Sequence, residues 1–172
     1  MNLRLILPSK EHEAAWYNIV EEIEKVGEKV TPYALNFHQN DFHVFLEKTL
    51  KDRLGIDLGD FVPATTYFLM GDHNDRILGA ISIRHRLNDD LLFRGGNIGY
   101  GIRPSERRKG FAAQMLSLAI DKCREMEFEK VLVTCNQDNI GSAKTIMKNG
   151  GILENEVTEE NGNIVQRYWI IL

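Results

Sequence analysis

The chain has 172 residues, of which 43% are hydrophobic and 27% charged, and a formal net charge of -4. That length suits one domain spanning residues 1–172 with a single core, and the composition is that of a folded globular protein, neither disordered nor fibrous. The excess of acid argues against a general nucleic-acid binder, whose nonspecific affinity needs accumulated positive charge, so any anion site has to be local.

The opening Leu3, Leu5 and Leu7 alternate with other positions as in a strand, and Pro8-Ser9 supplies a stop followed by a helix cap. Met1 to Pro8 is too short for a signal peptide, and nowhere do about 18 apolar residues run together, so the expectation is a cytoplasmic protein with no membrane partner. Trp16, Ile19, Val20, Ile23 and Val26 recur at helical spacing, with Glu11 and Glu13 near the positive N-terminus and Gly27 at the end. A loop with Thr31-Pro32-Tyr33 precedes a second helical face of Phe42, Phe45, Leu46, Thr49, Leu50 and Leu54, closed by Gly55 and Gly59.

Ala64 to Met70 reads as a strand, Asp72-His73-Asn74-Asp75 as a turn, and Arg76 to Arg86 as the strand that completes a hairpin. Leu87 to Gly96 reads as a loop or bulge before a strand Asn97 to Ile102. A helix over Lys109 to Glu127, a short buried strand Lys130 to Cys135 and a helix Asn139 to Asn149 follow. Ile152 to Val157 and Ile164 to Leu172 are strands joined by an Asn-Gly turn. The apolar end Tyr168 to Leu172 is read as buried strand, with a homodimer contact as the alternative. Cys123 and Cys135, 12 residues apart with no CxxC and no histidine cluster, are expected as buried thiols, without disulfide or metal. Together these elements give an α/β protein with a mixed sheet and helices on both faces.

One stretch breaks the acidic pattern: RPSERRKGFA, Arg103 to Ala112, gathers Arg103, Arg107, Arg108 and Lys109 where a strand ends and a helix starts. Pro104 ends the strand, and the first amides of the helix have no intrahelical partner, so they and the helix dipole can hold an anion. Gly110 and Ala112 let backbone and ligand approach closely. Cations at a helix N-terminus are disfavoured by the dipole, so three of them there call for a compensating anion, and a diphosphate fits. The glycine fingerprints of dinucleotide and P-loop sites are both absent.

Arg107-x-x-Gly110-x-Ala112, following Ile98-Gly99-Tyr100-Gly101-Ile102-Arg103-Pro104, resembles the acetyl-CoA loop of the GNAT superfamily of N-acetyltransferases. Asn136-Gln137-Asp138-Asn139-Ile140-Gly141-Ser142-Ala143, with Asn149-Gly150-Gly151, resembles the second cofactor segment of that superfamily. The resemblance implies the GNAT fold: a mixed, mostly antiparallel sheet of about seven strands with a splay, flanked by about four helices. It implies acetyl-CoA as cofactor, with the pantetheine arm between the strands Asn97 to Ile102 and Lys130 to Cys135. The amides of Arg108, Lys109, Gly110, Phe111, Ala112 and Ala113 would take the pyrophosphate, with Arg103 and Arg107 nearby and Asn136, Asn139 and Ser142 on the other side. The implied activity is acetyl transfer to a primary amine of a small molecule, amino acid or peptide terminus, by direct attack in a ternary complex. The backbone N–H near Ile102 would be the oxyanion donor.

Members of the superfamily commonly carry a catalytic glutamate where this chain has Asn97, and a proton-donating tyrosine where it has Ile146. Asparagine and isoleucine do neither job, so the expectation is a water held by Asn97 and Tyr100 that relays the proton. His85, Asp89 and Asp90 are further candidates, His85 reading more as a surface residue of its Arg84-His85-Arg86 run. The acceptor pocket is expected around Trp16, Tyr33, Phe37 and Phe42 beside Asp89, Asp90 and Arg84. Two other readings stay open: an acyl-CoA-binding sensor with little turnover, and a nucleotide phosphate-binding module.

Overall fold

A computed structural model describes residues 2–72 and 75–172, apart from the side chain of His38; the expected turn residues His73 and Asn74 lie outside the described residues. The strands are β1 (Leu3–Ile6), β2 (Ala64–Gly71), β3 (Gly79–Arg84), β4 (Ile98–Ile102), β5 (Lys130–Asn136), β6 (Ile152–Thr158) and β7 (Ile164–Ile171). The helices are α1 (Glu13–Lys25), α2 (Phe42–Leu54), α3 (Asp89–Phe93), α4 (Phe111–Glu125) and α5 (Ile140–Lys148), with short 3-10 turns at Lys10–His12, Tyr33–His38 and Pro104–Glu106. The strands form one sheet in the order β1-β2-β3-β4-β5-β7-β6, in which every neighbouring pair is antiparallel except β4 and β5.

Strand periodicity divides the core between the two faces of the sheet. On one face Phe68, Met70 and Ala80 pack with Trp16, Ile19 and Ile23 of α1 and Phe42 and Phe45 of α2, and the indole of Trp16 stacks on Phe45 at 5.3 Å between centroids. On the other, Leu69, Ile81, Ile83, Ile98 and Val133 pack under Met115, Leu116, Ala119 and Ile146 of α4 and α5. Each such fully buried side chain contributes roughly 1.5–3 kcal/mol relative to exposure. Val131, Leu132 and Val133 are all buried, as a strand covered on both faces requires. Both cysteines are free and buried, and burial pushes the Cys123 thiol up to about 12.

Local chemistry sets the helix ends. Asp41 caps α2 by accepting the N–H groups of His43 at 2.7 Å and Val44 at 3.4 Å, and Gly55 ends it in the left-handed region at φ 74°. The buried stripe of α2 is Phe42, Phe45, Thr49 and Asp52, so Leu50 and Leu54, expected on the apolar face, point to solvent. Val26 is likewise exposed, because α1 ends at Lys25. Inside the expected loop of residues 87–96 lies the short α3, capped by Asn88, whose Oδ1 accepts the Leu91 N–H at 2.9 Å. β3 starts at Gly79 and not at Arg76, because Arg76 leaves the sheet for the β4–α4 connection, donating to Glu106 and Ser105 at 2.8 Å each. The C-terminal run is interior strand, with Tyr168 and Ile170 buried.

The α1–α2 connection lies directly over β4. A Cβ added at Gly101 would collide with the carbonyl oxygen of Thr31, so only glycine permits this approach. Gly101→Ala should therefore destabilise the protein by about 1–3 kcal/mol, a loss read in thermal unfolding as a drop of several degrees in Tm.

Candidate active site

The sheet opens between β4 and β5. Their registered pairing is Ile98 with Val133 alone, whereas β5 and β7 stay paired from Lys130↔Ile171 to Asn136↔Val165. Alternate residues of an antiparallel ladder bond the same neighbour. Arg103 N–H donates to Leu78 O and Arg84 N–H to Asn97 O, so the Asn97 carbonyl and residues 99, 101 and 103 address β3, while Asn97 N–H donates to Leu132 O of β5 at 2.7 Å. The backbone groups of Tyr100 and Ile102 consequently face the gap, where β5 has moved away. Ile102 O there accepts Arg107 Nε at 3.1 Å.

At the end of β4 the chain turns through Pro104–Glu106 and enters α4. The first α4 bond within the helix is Gln114 N–H to Gly110 O, and no side chain caps the helix. The amides of Arg108, Lys109, Gly110, Phe111, Ala112 and Ala113 thus have no partner among the described residues. Arg108 and Gly110 both have positive φ, 61° and 82°, which curls these N–H groups into a nest at the positive end of a helix of 15 residues. A Cβ at Gly110 would meet no protein atom, so its requirement is the backbone angle, not the space.

The nest opens into a cleft of about 650 Å³ lined by Tyr100, Gly101, Ile102, Arg107, Arg108, Gly110 to Ala113, Asn139, Ser142 and Thr145. Asn139 caps α5, its Oδ1 accepting the Ser142 N–H at 3.1 Å, and thereby turns the Ser142 hydroxyl to the opening. There Ser142 Oγ meets the Tyr100 hydroxyl at 2.8 Å. Burial, partly offset by that bond, pushes the Tyr100 phenol up to about 12, so it is a proton donor and not a base near neutrality.

Across the sheet, on the face of α1 and α2, lies a smaller pocket of about 270 Å³. Tyr33, Phe37 and Phe61 wall it, Ser82 and Arg84 of β3 form its floor, and Asp60 and Asp90 are among its other residues. Tyr33 meets Phe37 edge-on at 5.4 Å and stacks on Phe61 at 6.0 Å. Lys48 lies over Phe37 at 4.6 Å and is held by Asp52.

This architecture was compared with known proteins. The sequence profile described as "Acetyltransferase (GNAT) domain" matches residues 2–152. The chain belongs to that family. No curated protein matches the sequence. Among solved structures, RimL, a ribosomal L7/L12 alpha-N-protein acetyltransferase in complex with coenzyme A, is similar at 17% identity and TM-score 0.73, covering 100% of this chain and 95% of that one. The microcin C7 self-immunity acetyltransferase MccE, in complex with acetyl-CoA and AMP, is similar at 18% identity and TM-score 0.70, covering 99% and 92%. A ribosomal-protein-S5-alanine acetyltransferase from Vibrio fischeri is similar at 16% identity and TM-score 0.70, covering 98% and 91%.

In this GNAT acetyltransferase several expected site residues sit elsewhere. Asn97 is 3% exposed and both its polar atoms are spent: Oδ1 accepts Leu132 N–H at 2.8 Å and Nδ2 donates to Arg84 O at 3.4 Å. It pins the start of β4 to β5 and does not line the cleft. Arg103 is 1% exposed and turns away from the cleft to Ile77 O, Asn18 and Glu22. Asn136 lies outside the cleft lining and bonds Asn163. Arg107 is clasped by both oxygens of Glu28, at 2.7 and 2.6 Å, and Lys109 by Glu106 at 2.8 Å, which leaves Arg108 as the cation of the stretch without a carboxylate among the described residues. Trp16 and Phe42 are sealed in the core. Asp89 does not line the pocket on the α1/α2 face, and His85, half-buried on Thr65 at 2.8 Å, lies outside that pocket and the cleft. Burial lowers the His85 pKa. Phe61 and Asp60 were missed by the sequence reading, because they lie in an irregular segment and carry no periodic signal.

Two measurements follow from these placements. Asn97→Ala leaves the buried Leu132 N–H without an acceptor and should cost about 1–3 kcal/mol of stability, seen as a lowered Tm. The Arg107 bond holds the Glu28 carboxyl below its usual 4.5. Its stabilising contribution is complete above that value and vanishes as pH falls through the lower folded value. Glu28→Gln should therefore flatten the acid limb of the Tm profile below pH 4.5. Because both partners are exposed, it should change neutral-pH stability little.

Proposed function

We propose that this acetyltransferase binds acetyl-CoA along the β4–β5 opening and acetylates a primary amine held in the pocket on the α1/α2 face. The observation that carries the reading is the run of six unpartnered amides, Arg108 to Ala113, beside a sheet edge whose backbone groups at Tyr100 and Ile102 face the gap. The nest suits a diphosphate, since it offers several N–H donors and a helix dipole, and the two glutamates of the cleft lining, Glu28 and Glu106, are paired with Arg107 and Lys109. Arg108 adds mobile charge. The edge of β4 suits the two amides of a pantetheine arm, which would take the place of a paired strand. Bound there, acetyl-CoA supplies the thioester to be attacked.

The chain's own groups then have separable roles. Ile102 N–H, which faces the gap, would donate to the carbonyl oxygen as charge develops on it, a preorganised interaction that no solvent has to reorganise. Tyr100, kept protonated by burial and oriented by Ser142, would give its proton to the departing thiolate as the C–S bond breaks, and the proton shed by the amine nitrogen as the C–N bond forms would pass to water. This assignment fills the place that Ile146 cannot. Ile146 is wholly buried, under Gly151. Alignment of amine and thioester across the sheet supplies much of the remaining acceleration.

Release of coenzyme A thiol, monitored with acetyl-CoA and a panel of amines, tests the activity. Tyr100→Phe should lower kcat by about 10²-fold or more while leaving acetyl-CoA affinity, measured by calorimetry, within twofold. Unchanged kcat would remove the acid role from Tyr100. Gly110→Val, which cannot easily hold φ 82°, should instead weaken acetyl-CoA binding itself. The reading of a sensor with little turnover predicts binding without thiol release for every amine in the panel.

A further inference from the structure

The pocket on the α1/α2 face holds a half-buried cation with no carboxylate partner among the described residues. Of the arginines that are buried or half-buried, Arg76, Arg103 and Arg167 each pair with a carboxylate, whereas Arg84 has none within 4.0 Å among the described residues. Its Nη1 donates to the carbonyls of Gly95 at 3.0 Å and Gly96 at 3.1 Å. Its Nε and Nη2 have no partner among the described residues, and neither atom is sealed from solvent. These two nitrogens form one straight edge of the guanidinium, the edge that matches the two oxygens of a carboxylate. The side chain is fixed as well as unpaired: it lies across Gly99 of β4, where an added Cβ would stand 3.1 Å from Nη2. Burial without a counter-charge depresses the Arg84 pKa, and a ligand anion would relieve that cost.

The rest of the pocket complements a zwitterion with an apolar side chain. Asp60 and Asp90 line it without a cationic partner among the described residues, and Tyr33, Phe37 and Phe61 give it aromatic walls. At about 270 Å³ it accommodates a single amino-acid residue. We infer that Arg84 binds the carboxylate of the acceptor, and that the acceptor is a free α-amino acid with an apolar or aromatic side chain. The carboxylate seated on Arg84 lies beside Gly99 of β4, the strand that edges the opening, so the α-amine stays within a few bonds of that strand. A peptide N-terminus carries an uncharged amide at that place and would leave Arg84 unpaired.

This inference rests on the acetyltransferase reading, so its test separates the two. Thiol release is measured at saturating acetyl-CoA with L-phenylalanine, L-leucine and L-methionine, and with their amides. Each acid should exceed its amide in kcat/KM by about tenfold or more, the scale of a bidentate charge-assisted bond. Arg84→Gln should erase that ratio mainly through KM, Arg84→Lys should restore part of it, and acetyl-CoA affinity should stay within twofold in both. Amides or short peptides used as well as the acids by the wild-type protein would overturn the assignment. A second measurement needs neither a variant nor turnover. With coenzyme A present, N-acetyl-L-phenylalanine should bind at least tenfold more tightly than its amide by calorimetry, and equal binding would overturn the assignment even if no amine is acetylated. Absence of thiol release with every amine would count against the acetyltransferase reading alone.

Discussion

The separation of β4 from β5 is the constraint on which the cleft beside the α4 N-terminus depends. Asn97 holds the strands together at one end by bonding the Leu132 N–H, Ile98 pairs with Val133, and beyond that point the two strands share no registered pair. Beyond Ile98 the edge of β4 has no strand partner on that side among the described residues, an arrangement folded proteins rarely leave, since backbone N–H and C=O groups are almost always paired. The fold tolerates it because the remaining ladders are long and both faces of the sheet are packed. The unfilled edge is thus a place where a ligand with amide groups recovers bonds that the protein has left open.

The electrostatics around the opening are more specific than the count of charges suggests. Three of the four cations in RPSERRKGFA are committed to Glu22, Glu28 and Glu106, so they brace the loop against α1 and the connection after it. What remains for a diphosphate is the row of backbone amides from Arg108 to Ala113, with Arg108 beside them. Such donors need no rotamer ordering on binding, which favours them over flexible side chains. The same economy holds on the other face, where Arg84 is already fixed against Gly99 and the carbonyls of Gly95 and Gly96.

Much of this was legible in the chain, and what was not shares one cause. The nest could be read because Pro104, Gly110 and Ala112 act within a few residues of one another, and the order of elements along the chain followed from periodicity and turn residues. The roles of Asn97 and Arg103 could not. Asn97 answers to Leu132, 35 positions away, and Arg103 to Glu22, 81 positions away; distant partners leave no local pattern. Leu50 and Leu54 misled for a related reason: the buried stripe of α2 includes Thr49 and Asp52, whose polar atoms find partners in Phe45 O and Lys48. The α3 turn was hidden because Asn88, read as a loop former, serves as a cap.

The central claim is that backbone groups of the β4–α4 connection, more than its charged side chains, hold the cofactor. Amide hydrogen exchange resolved by residue, with and without coenzyme A, addresses it most directly. The account predicts strong new protection at the amides of Arg108 to Ala113 together with Tyr100 and Ile102, and little change in β1, β2 and β6. Coenzyme A binding that leaves the Arg108 to Ala113 amides exchanging as before would contradict it.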